Sequence, residues 1–373
     1  MRTASVKISK KIPCLDLNGQ HEQVKEEIFE AFKKVYQSTA FSGGPFVEEF
    51  ERQFATFTGV HYAVGLNNGT SALHLALLAL GVGKGDEVIV PANTFIATAW
   101  GVSYTGAKPV FVDCDPITWE LDVNKIEEKI TPFTKAVIGV HLYGQPFDVD
   151  PVSEICDRHG LFLLEDAAQA QGAEYKGKKV GSFGEMACFS FYPGKNLGAC
   201  GEAGGITTND VNYYKHLQSL RNHGSTQRYY HDEIGYNMRM GGLEGASLSV
   251  KLKYLPAWNK RRKEIAGYYQ KHFNNPKIKW QIQPEGHSSV FHLFVITTDK
   301  RDELIAYLNE KEIYPGLHYP VPCHLQNAYK HLQYKAGDCP NAEYLASHCL
   351  SLPMYAELTD EEVAYVTEML NKY

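Results

Sequence analysis

Met186-Ala187-Cys188-Phe189-Ser190-Phe191-Tyr192-Pro193-Gly194-Lys195-Asn196-Leu197-Gly198-Ala199 is an apolar run that stops at a Pro-Gly turn and then presents one lysine, Lys195. Upstream, Leu161-Phe162-Leu163-Leu164-Glu165-Asp166-Ala167-Ala168-Gln169 has the same form and ends on a carboxylate, Asp166. Each reads as a buried strand with one ionisable group at its end. An anion and an amine offered in this way suit a cofactor that needs both. Pyridoxal 5'-phosphate is such a cofactor, because lysine forms its Schiff base and a carboxylate pairs with its pyridinium nitrogen.

Outward from these two segments, short apolar runs alternate with helical patterns between residue 60 and about 210. The runs fall at 63–65, 87–90, 109–112, 136–140, 161–165, 186–191 and 205–208. This alternation predicts an α/β fold with a mostly parallel, seven-stranded sheet and helices on both faces. Ligands of such sheets bind beyond the carboxyl ends of the strands. Phe95, His141, Asp166 and Lys195 all follow predicted strand ends. Two amphipathic helices precede the sheet, one with Val24, Ile28, Ala31, Phe32 and Val35 on its apolar stripe, the other with Phe46, Phe50, Phe54 and Phe57. Helices over 210–222 and 242–273 follow it, then a strand over 290–297 and helices over 301–310 and 360–371. The predicted division is a large cofactor-binding domain, 1–250, and a small C-terminal α+β domain, 251–373.

Gly69-Thr70-Ser71 opens a strong helix, Leu73-His74-Leu75-Ala76-Leu77-Leu78. Alone it reads as an ordinary N-cap. Placed after the first strand of an α/β unit, its free amides, hydroxyls and positive dipole end can hold a phosphate. Ser190 falls on the same side of its strand as Tyr192 and can meet that phosphate. Asp166 taken alone is as readily a structural acid as a catalytic one. Gln169, three residues on, shares its face if a helix begins there. Lys195 reads either as a surface lysine or as a desolvated nucleophile with a lowered pKa, and the glycine-rich Gly198-Ala199-Cys200-Gly201 beside it favours the second. Phe95 is core filler or a plate stacked on a flat ring.

The 373 residues are 44% hydrophobic, enough for a large core, and carry a formal charge of -6. The slightly acidic balance argues against nucleic acid as a partner. No apolar run approaches the ~20 residues of a membrane span, and residues 1–7 lack the apolar region of a secretory signal. The eight cysteines are scattered without a Cys-x-x-Cys pair and read as reduced thiols of a cytoplasmic enzyme. Gly81-Val82-Gly83-Lys84-Gly85-Asp86 follows a helix and precedes a strand, the wrong order for a dinucleotide loop, so it reads as a turn. His318 and His324 complete no metal pattern, and no metal is expected.

With these residues in hand the chain resembles the DegT/DnrJ/StrS family of pyridoxal-phosphate sugar aminotransferases, of fold type I, from about residue 11 to 373. The resemblance implies that Lys195 is the Schiff-base lysine and Asp166 the partner of the pyridine nitrogen. It puts Gln169 at the ring hydroxyl and Phe95 on the ring. Gly69, Thr70, Ser71 and Ser190 would hold the phosphate. Gly235-Tyr236-Asn237-Met238-Arg239-Met240 matches the loop that reaches the neighbouring subunit's phosphate, which implies a homodimer with Asn237 at the interface. Tyr319, His324, Arg221 and His223 would face the sugar nucleotide. Tyr192-Pro193-Gly194-Lys195-Asn196-Leu197-Gly198-Ala199 and His141-Leu142-Tyr143-Gly144-Gln145-Pro146 are most similar to the branch that aminates dTDP-linked 3-keto-6-deoxyhexoses with L-glutamate. The 4-amino enzymes more often carry His-Pro-x-Lys followed by Ile-Thr. Members that dehydrate sugars replace the lysine with histidine, against which Lys195 argues. A 4-keto sugar aminotransferase and a non-catalytic cofactor-binding regulator remain the alternatives.

Overall fold

The computed structural model of the protein describes residues 11–373; the expectation about residues 1–7 lies outside them. Seven strands form the central sheet: β1 (Tyr62–Leu66), β2 (Glu87–Pro91), β3 (Lys108–Val112), β4 (Thr134–Val140), β5 (Phe162–Asp166), β6 (Met186–Ser190) and β7 (Gly204–Thr208). Their order is β1-β7-β6-β5-β4-β2-β3. β7 alone runs against its neighbours, pairing antiparallel with both β1 and β6, while the remaining pairs are parallel. The mostly parallel mixed sheet expected from the sequence is therefore present, each strand within two residues of its predicted position.

β2, β3 and β4 are Val- and Ile-rich because both faces are covered. Val88 and Val90 enter one core cluster and Ile89 another; Ile138 and Val137 on β4 divide in the same way. The helices that cover the sheet include α2 (Pro45–Thr58), α3 (Gly69–Ala79), α4 (Ala97–Tyr104), α5 (Val149–His159), α6 (Val211–Leu220) and α7 (Gly242–Leu252), with α1 (Asn18–Ser38) packed outside α7. On α2 the expected phenylalanine stripe packs edge-on against the end of β6. The Phe54 ring lies 4.9 Å from that of Phe189 and 5.1 Å from that of Phe191, and Phe50 lies 5.2 Å from Phe191. Such pairs contribute about 0.5–1.5 kcal/mol each beyond area burial. They hold the strand from which the Lys195 turn departs.

The segment predicted as one helix over 242–273 is two, α7 and α8 (Leu255–His272). Pro256 cannot continue a helix that arrives from before it, but fits in a first turn. A second, antiparallel sheet consists of β8 (Lys279–Trp280), β9 (Phe294–Thr297) and β10 (Cys349–Leu352). It packs with α8, α9 (Arg301–Glu310) and a later helix, α11 (Asp360–Lys372), around Tyr269, Ile296, Leu304, Leu350 and Val366. The sequence reading missed α10 (Pro340–His348) and β10. It also began β9 too early. Val290 and Leu293 donate instead to the carbonyls of Gly144 (3.0 Å) and Tyr143 (3.2 Å), tying the approach to β9 to the turn after β4. Among the described residues, no helix is long and apolar enough to cross a membrane.

Gly204 starts β7 where that strand meets both Leu66 and Ser190. A Cβ there would stand 2.3 Å from the backbone carbonyl of Asn68, which side-chain movement cannot relieve. Gly204→Ala is expected to lower stability by about 1–3 kcal/mol, read as a fall in the urea midpoint. An unchanged midpoint would show that the β1–α3 connection yields freely.

Candidate active site

A cavity of about 470 Å³ opens beyond the carboxyl ends of the sheet, where such folds place ligands. Five strand ends deliver part of its wall: Asn68, Gly69 and Thr70 after β1, Thr94 and Phe95 after β2, Val140 on β4, Asp166 on β5, Ser190 on β6. Gln169, Tyr192, Gly194 and Lys195 follow, and Cys14, His292, His318 and Tyr319 close the other side. Of the sequence-predicted residues, Gly69, Thr70, Phe95, Asp166, Gln169, Ser190, Lys195 and Tyr319 meet here.

Asp166 is 5% exposed. Its Oδ2 accepts from Thr98 Oγ1 at 2.7 Å and its Oδ1 from the Ala168 amide at 3.2 Å. Thr98 spends its proton on Asp166, so the hydroxyl of Thr94, 2.8 Å away, donates to Thr98. Burial raises the Asp166 pKa, and the Thr98 bond, the Ala168 amide and the charge of Lys195 oppose the rise. Lys195 sits half-buried on the wall, its amide bonded to Tyr192 O at 2.8 Å to close the Pro-Gly turn. Desolvation lowers its pKa to about 8, with Asp166 pulling the other way. A sizeable neutral fraction of the amine thus exists near neutral pH, as a nucleophile or proton carrier requires.

The N-terminus of α3 forms the far wall. Asn68 caps it, accepting the Ser71 amide at 2.8 Å. The amides of Gly69 and Thr70, at the first two helical positions, find no acceptor among the described residues. Two unspent N–H groups at a helix N-terminus beside the Ser190 hydroxyl fit a phosphate. Gly69 is required by close approach, since a Cβ there would lie 2.7 Å from that of Ser190. The Phe95 ring, 49% exposed, stands in the cavity 5.4 Å from that of Tyr319. Gln169 reaches the site without the helix anticipated at Asp166. The chain turns instead, with Ala170 N–H donating to Ala167 O at 3.0 Å. The residues present therefore fit a cofactor that combines a phosphate, a flat ring, a basic ring nitrogen and an aldehyde.

Other expected contacts fall elsewhere. Ser71 lies buried in the first turn of α3 and does not line the cavity. Arg221 pairs with Glu51 and donates to Gly65 O at 2.8 Å, so its charge is spent bracing β1. His223 turns the chain after α6 at φ 63°, its amide bonded to Tyr236 O at 2.9 Å. His324 is buried behind the wall on Glu343, at 3.0 Å. Asn237 is exposed in a bridge with Asn222, away from this chain's cavity. Conversely, Thr98, His292, His318 and Cys14 were missed. Thr94 and Thr98 stand four apart at the start of α4, a spacing that could have flagged them. The histidines arrive from loops outside the central sheet, His292 just before β9 and His318 after α9, and carry no local signal.

The chain belongs to the DegT/DnrJ/EryC1/StrS aminotransferase family, whose model matches residues 22–371. It is a pyridoxal-phosphate-dependent aminotransferase. Three relatives are similar along nearly their whole length. One is dTDP-3-amino-3,6-dideoxy-alpha-D-galactopyranose transaminase of Aneurinibacillus thermoaerophilus, 44% identical over 97% of this chain and 99% of its own. Another is a pleiotropic regulatory protein of Geobacillus stearothermophilus, 44% identical over 97% and 98%. The third is UDP-N-acetyl-3-dehydro-alpha-D-glucosamine 3-aminotransferase of Acidithiobacillus ferrooxidans, 42% identical over 97% of both. The solved structure of DesV from S. venezuelae superposes with a TM-score of 0.96 at 41% identity, covering 98% of each chain.

His318 and His292 are held neutral in this wall, His318 with its pKa down to about 4 and His292 well below the usual value, both chiefly by burial. The unfolded chain takes up these protons near pH 6.5, so it binds more protons than the fold between there and pH 4. Stability is then expected to fall as pH falls through that window. Calorimetry at pH 7 and pH 5 should show a melting temperature several degrees lower at pH 5. His318→Gln should make the dependence shallower.

Proposed function

We propose that the protein transfers an amino group from L-glutamate to a nucleotide-linked 3-keto-6-deoxyhexose, with dTDP as the nucleotide, giving a 3-amino-3,6-dideoxy sugar nucleotide. The observation that carries this reading is the cavity that joins Lys195, Asp166 and the unspent α3 amides. Amination at C-3 is supported by the motifs around Lys195 and His141 and by the two relatives named for 3-amino or 3-dehydro sugars. One of those carries dTDP in its name and the other UDP. The 6-deoxyhexose-like motifs favour dTDP.

Pyridoxal phosphate, when bound, supplies an aldehyde that carries the amino group and a ring that withdraws electrons from the substrate carbon. Lys195 Nζ, neutral in part because it is desolvated, takes the α-proton of glutamate and returns a proton to the sugar carbon in the second half-reaction. Asp166 keeps the ring nitrogen protonated, each pKa unit of that preference corresponding to about 1.4 kcal/mol. The Gly69 and Thr70 amides and the Ser190 hydroxyl hold the phosphate. Phe95 orients the ring and Gln169 meets its hydroxyl. Tyr319 faces the sugar.

Asn237 lies exposed on a surface loop with Tyr229, Tyr230 and Ile234, which are 78%, 63% and 89% exposed. A second copy of the chain, covering these side chains and receiving Asn237 at its phosphate, accounts for their exposure. The eight unpaired cysteines fit work in the cytoplasm.

A reading as a cofactor-binding regulator is favoured by the name of the G. stearothermophilus relative. A visible spectrum separates the readings. Glutamate should bleach the cofactor chromophore, and a dTDP-linked 3-keto sugar should restore it. Restoration by the 4-keto isomer alone would move the amination site, and restoration by a UDP sugar alone would change the nucleotide. No response to glutamate would support the regulator. Lys195→Ala should lose turnover completely, and normal turnover by the pure variant would remove Lys195 from the mechanism.

In the cofactor-free protein, uptake of pyridoxal phosphate requires the neutral Lys195 amine. Its rate, followed in the visible range, is expected to climb with pH through about 8, where half the amine is neutral, and to level off only above it. A rate that is flat from pH 6 to 9 would contradict the lowered pKa.

A further inference from the structure

The turn after β4 holds a non-glycine residue in a conformation that side chains seldom adopt. Tyr143 has φ 60° and ψ 6°, and its side chain is 1% exposed. Strain of this kind costs on the order of 1–3 kcal/mol and persists only where the surroundings over-determine it. Here they do. The His141 amide donates to Asp166 O at 3.0 Å and the Leu142 amide to Glu120 Oε2 at 3.4 Å. The carbonyls of Tyr143 and Gly144 accept from Leu293 and Val290.

The polar groups of Tyr143 then close a circuit. Its N–H donates to Gln169 Oε1 at 2.7 Å. Gln169 Nε2 donates to Tyr319 Oη at 3.0 Å. Tyr319 follows His318 in the chain, and the His318 carbonyl accepts the Tyr143 hydroxyl at 2.6 Å. One buried side chain thus fixes the peptide that carries His318 and Tyr319, while its own backbone fixes the amide that orients Tyr319. Tyr143 does not itself line the cavity, whereas Gln169, His318 and Tyr319 do.

We propose that Tyr143 is a positioning residue for the keto-sugar half-reaction: its hydroxyl sets the placement of the His318–Tyr319 wall and so governs how the sugar is presented, without acting on the amino donor. The proposal rests on the aminotransferase reading above. The asymmetry follows from the circuit. Removing the hydroxyl takes the shorter of two hydrogen bonds from the His318 carbonyl, leaving Cys349 Sγ at 3.5 Å and the Ser351 bond to the His318 ring, so the wall loosens at His318. The main-chain bond to Gln169 stays intact, so the inner part of the site keeps its geometry. Glutamate is small and reacts beside Lys195, whereas a nucleotide sugar extends across the wall. The hydroxyl stays protonated, because burial pushes its pKa far above the usual tyrosine value, so it donates throughout the working pH range.

Tyr143→Phe in the holoenzyme tests this, with the two half-reactions followed separately by single-turnover visible spectroscopy. Bleaching by glutamate should stay within about twofold of the parent in both rate and half-saturation. The half-saturation for the 3-keto nucleotide sugar should rise about five- to tenfold, the loss of one buried hydrogen bond. His318→Ala, which keeps the carbonyl that Tyr143 holds, should leave that increase in place when combined with Tyr143→Phe. Equal losses in both half-reactions would make Tyr143 a structural residue only and overturn the proposal. So would a sugar half-reaction that does not change. Failure of the parent protein to bleach with glutamate would instead overturn the aminotransferase reading, which the control arm reports by itself.

Discussion

A carboxyl group almost wholly removed from water must recover its lost hydration from the protein or give up its charge. Asp166 receives two hydrogen bonds, one through a relay that begins at Thr94, and the field of Lys195. These do not fully offset burial, since its pKa remains raised. An acid held in this unfinished state gains most from a cation delivered into the cavity, and a protonated ring nitrogen is one. The same desolvation works on Lys195 in the opposite chemical sense and brings its amine toward neutrality. One dry cavity therefore prepares an anion in need of a partner and an amine ready to react. The sheet, the aromatic packing behind β6 and the α3 cap serve to keep these groups at its wall.

Behind Asp166, the neighbouring residue Glu165 shows how such a strand end is fixed. Glu165 is fully buried, yet its pKa is held low. It accepts the amides of Gly181 (2.7 Å), Phe183 (2.8 Å) and Gly184 (3.2 Å), and meets His141 Nε2 at 3.0 Å. With all those sites filled it binds as a carboxylate, and it clasps the loop that leads into β6. Adjacent carboxylates on one strand thus take different roles, one complete and structural, the other incomplete and facing the cavity.

Much of this was legible in the sequence because it is encoded locally. The seven strands are short, mostly buried runs, and length and flanking turn signals mark them. Lys195, Asp166, Phe95 and the Gly69-Thr70 helix start each sit at a strand end. What could not be read depends on distant partners. Arg221 looks like a free cation in its motif, and only the fold brings Glu51 to it. His324 and His318 lie close in sequence, yet one is bonded to Glu343 behind the wall and the other to Ser351 in it. The split between α7 and α8 was visible as Pro256, but the helical pattern on either side outweighed it. Tyr143 carried no signal, because positive φ at a tyrosine is a product of its surroundings and not of its side chain.

The reversed strand β7 has a consequence for how the protein comes into being. It lies between β1 and β6 and is the strand that pairs with both. The helix start that offers its amides belongs to the early part of the chain, and the serine opposite belongs to a much later one. β7 pairs with both of their strands, and α3 also packs directly on β6. Contacts of such long sequence separation form late, because the loop-closure entropy must first be overcome. A nascent chain that stops short of β7 holds both halves of the proposed phosphate site without the strand that pairs with each of them.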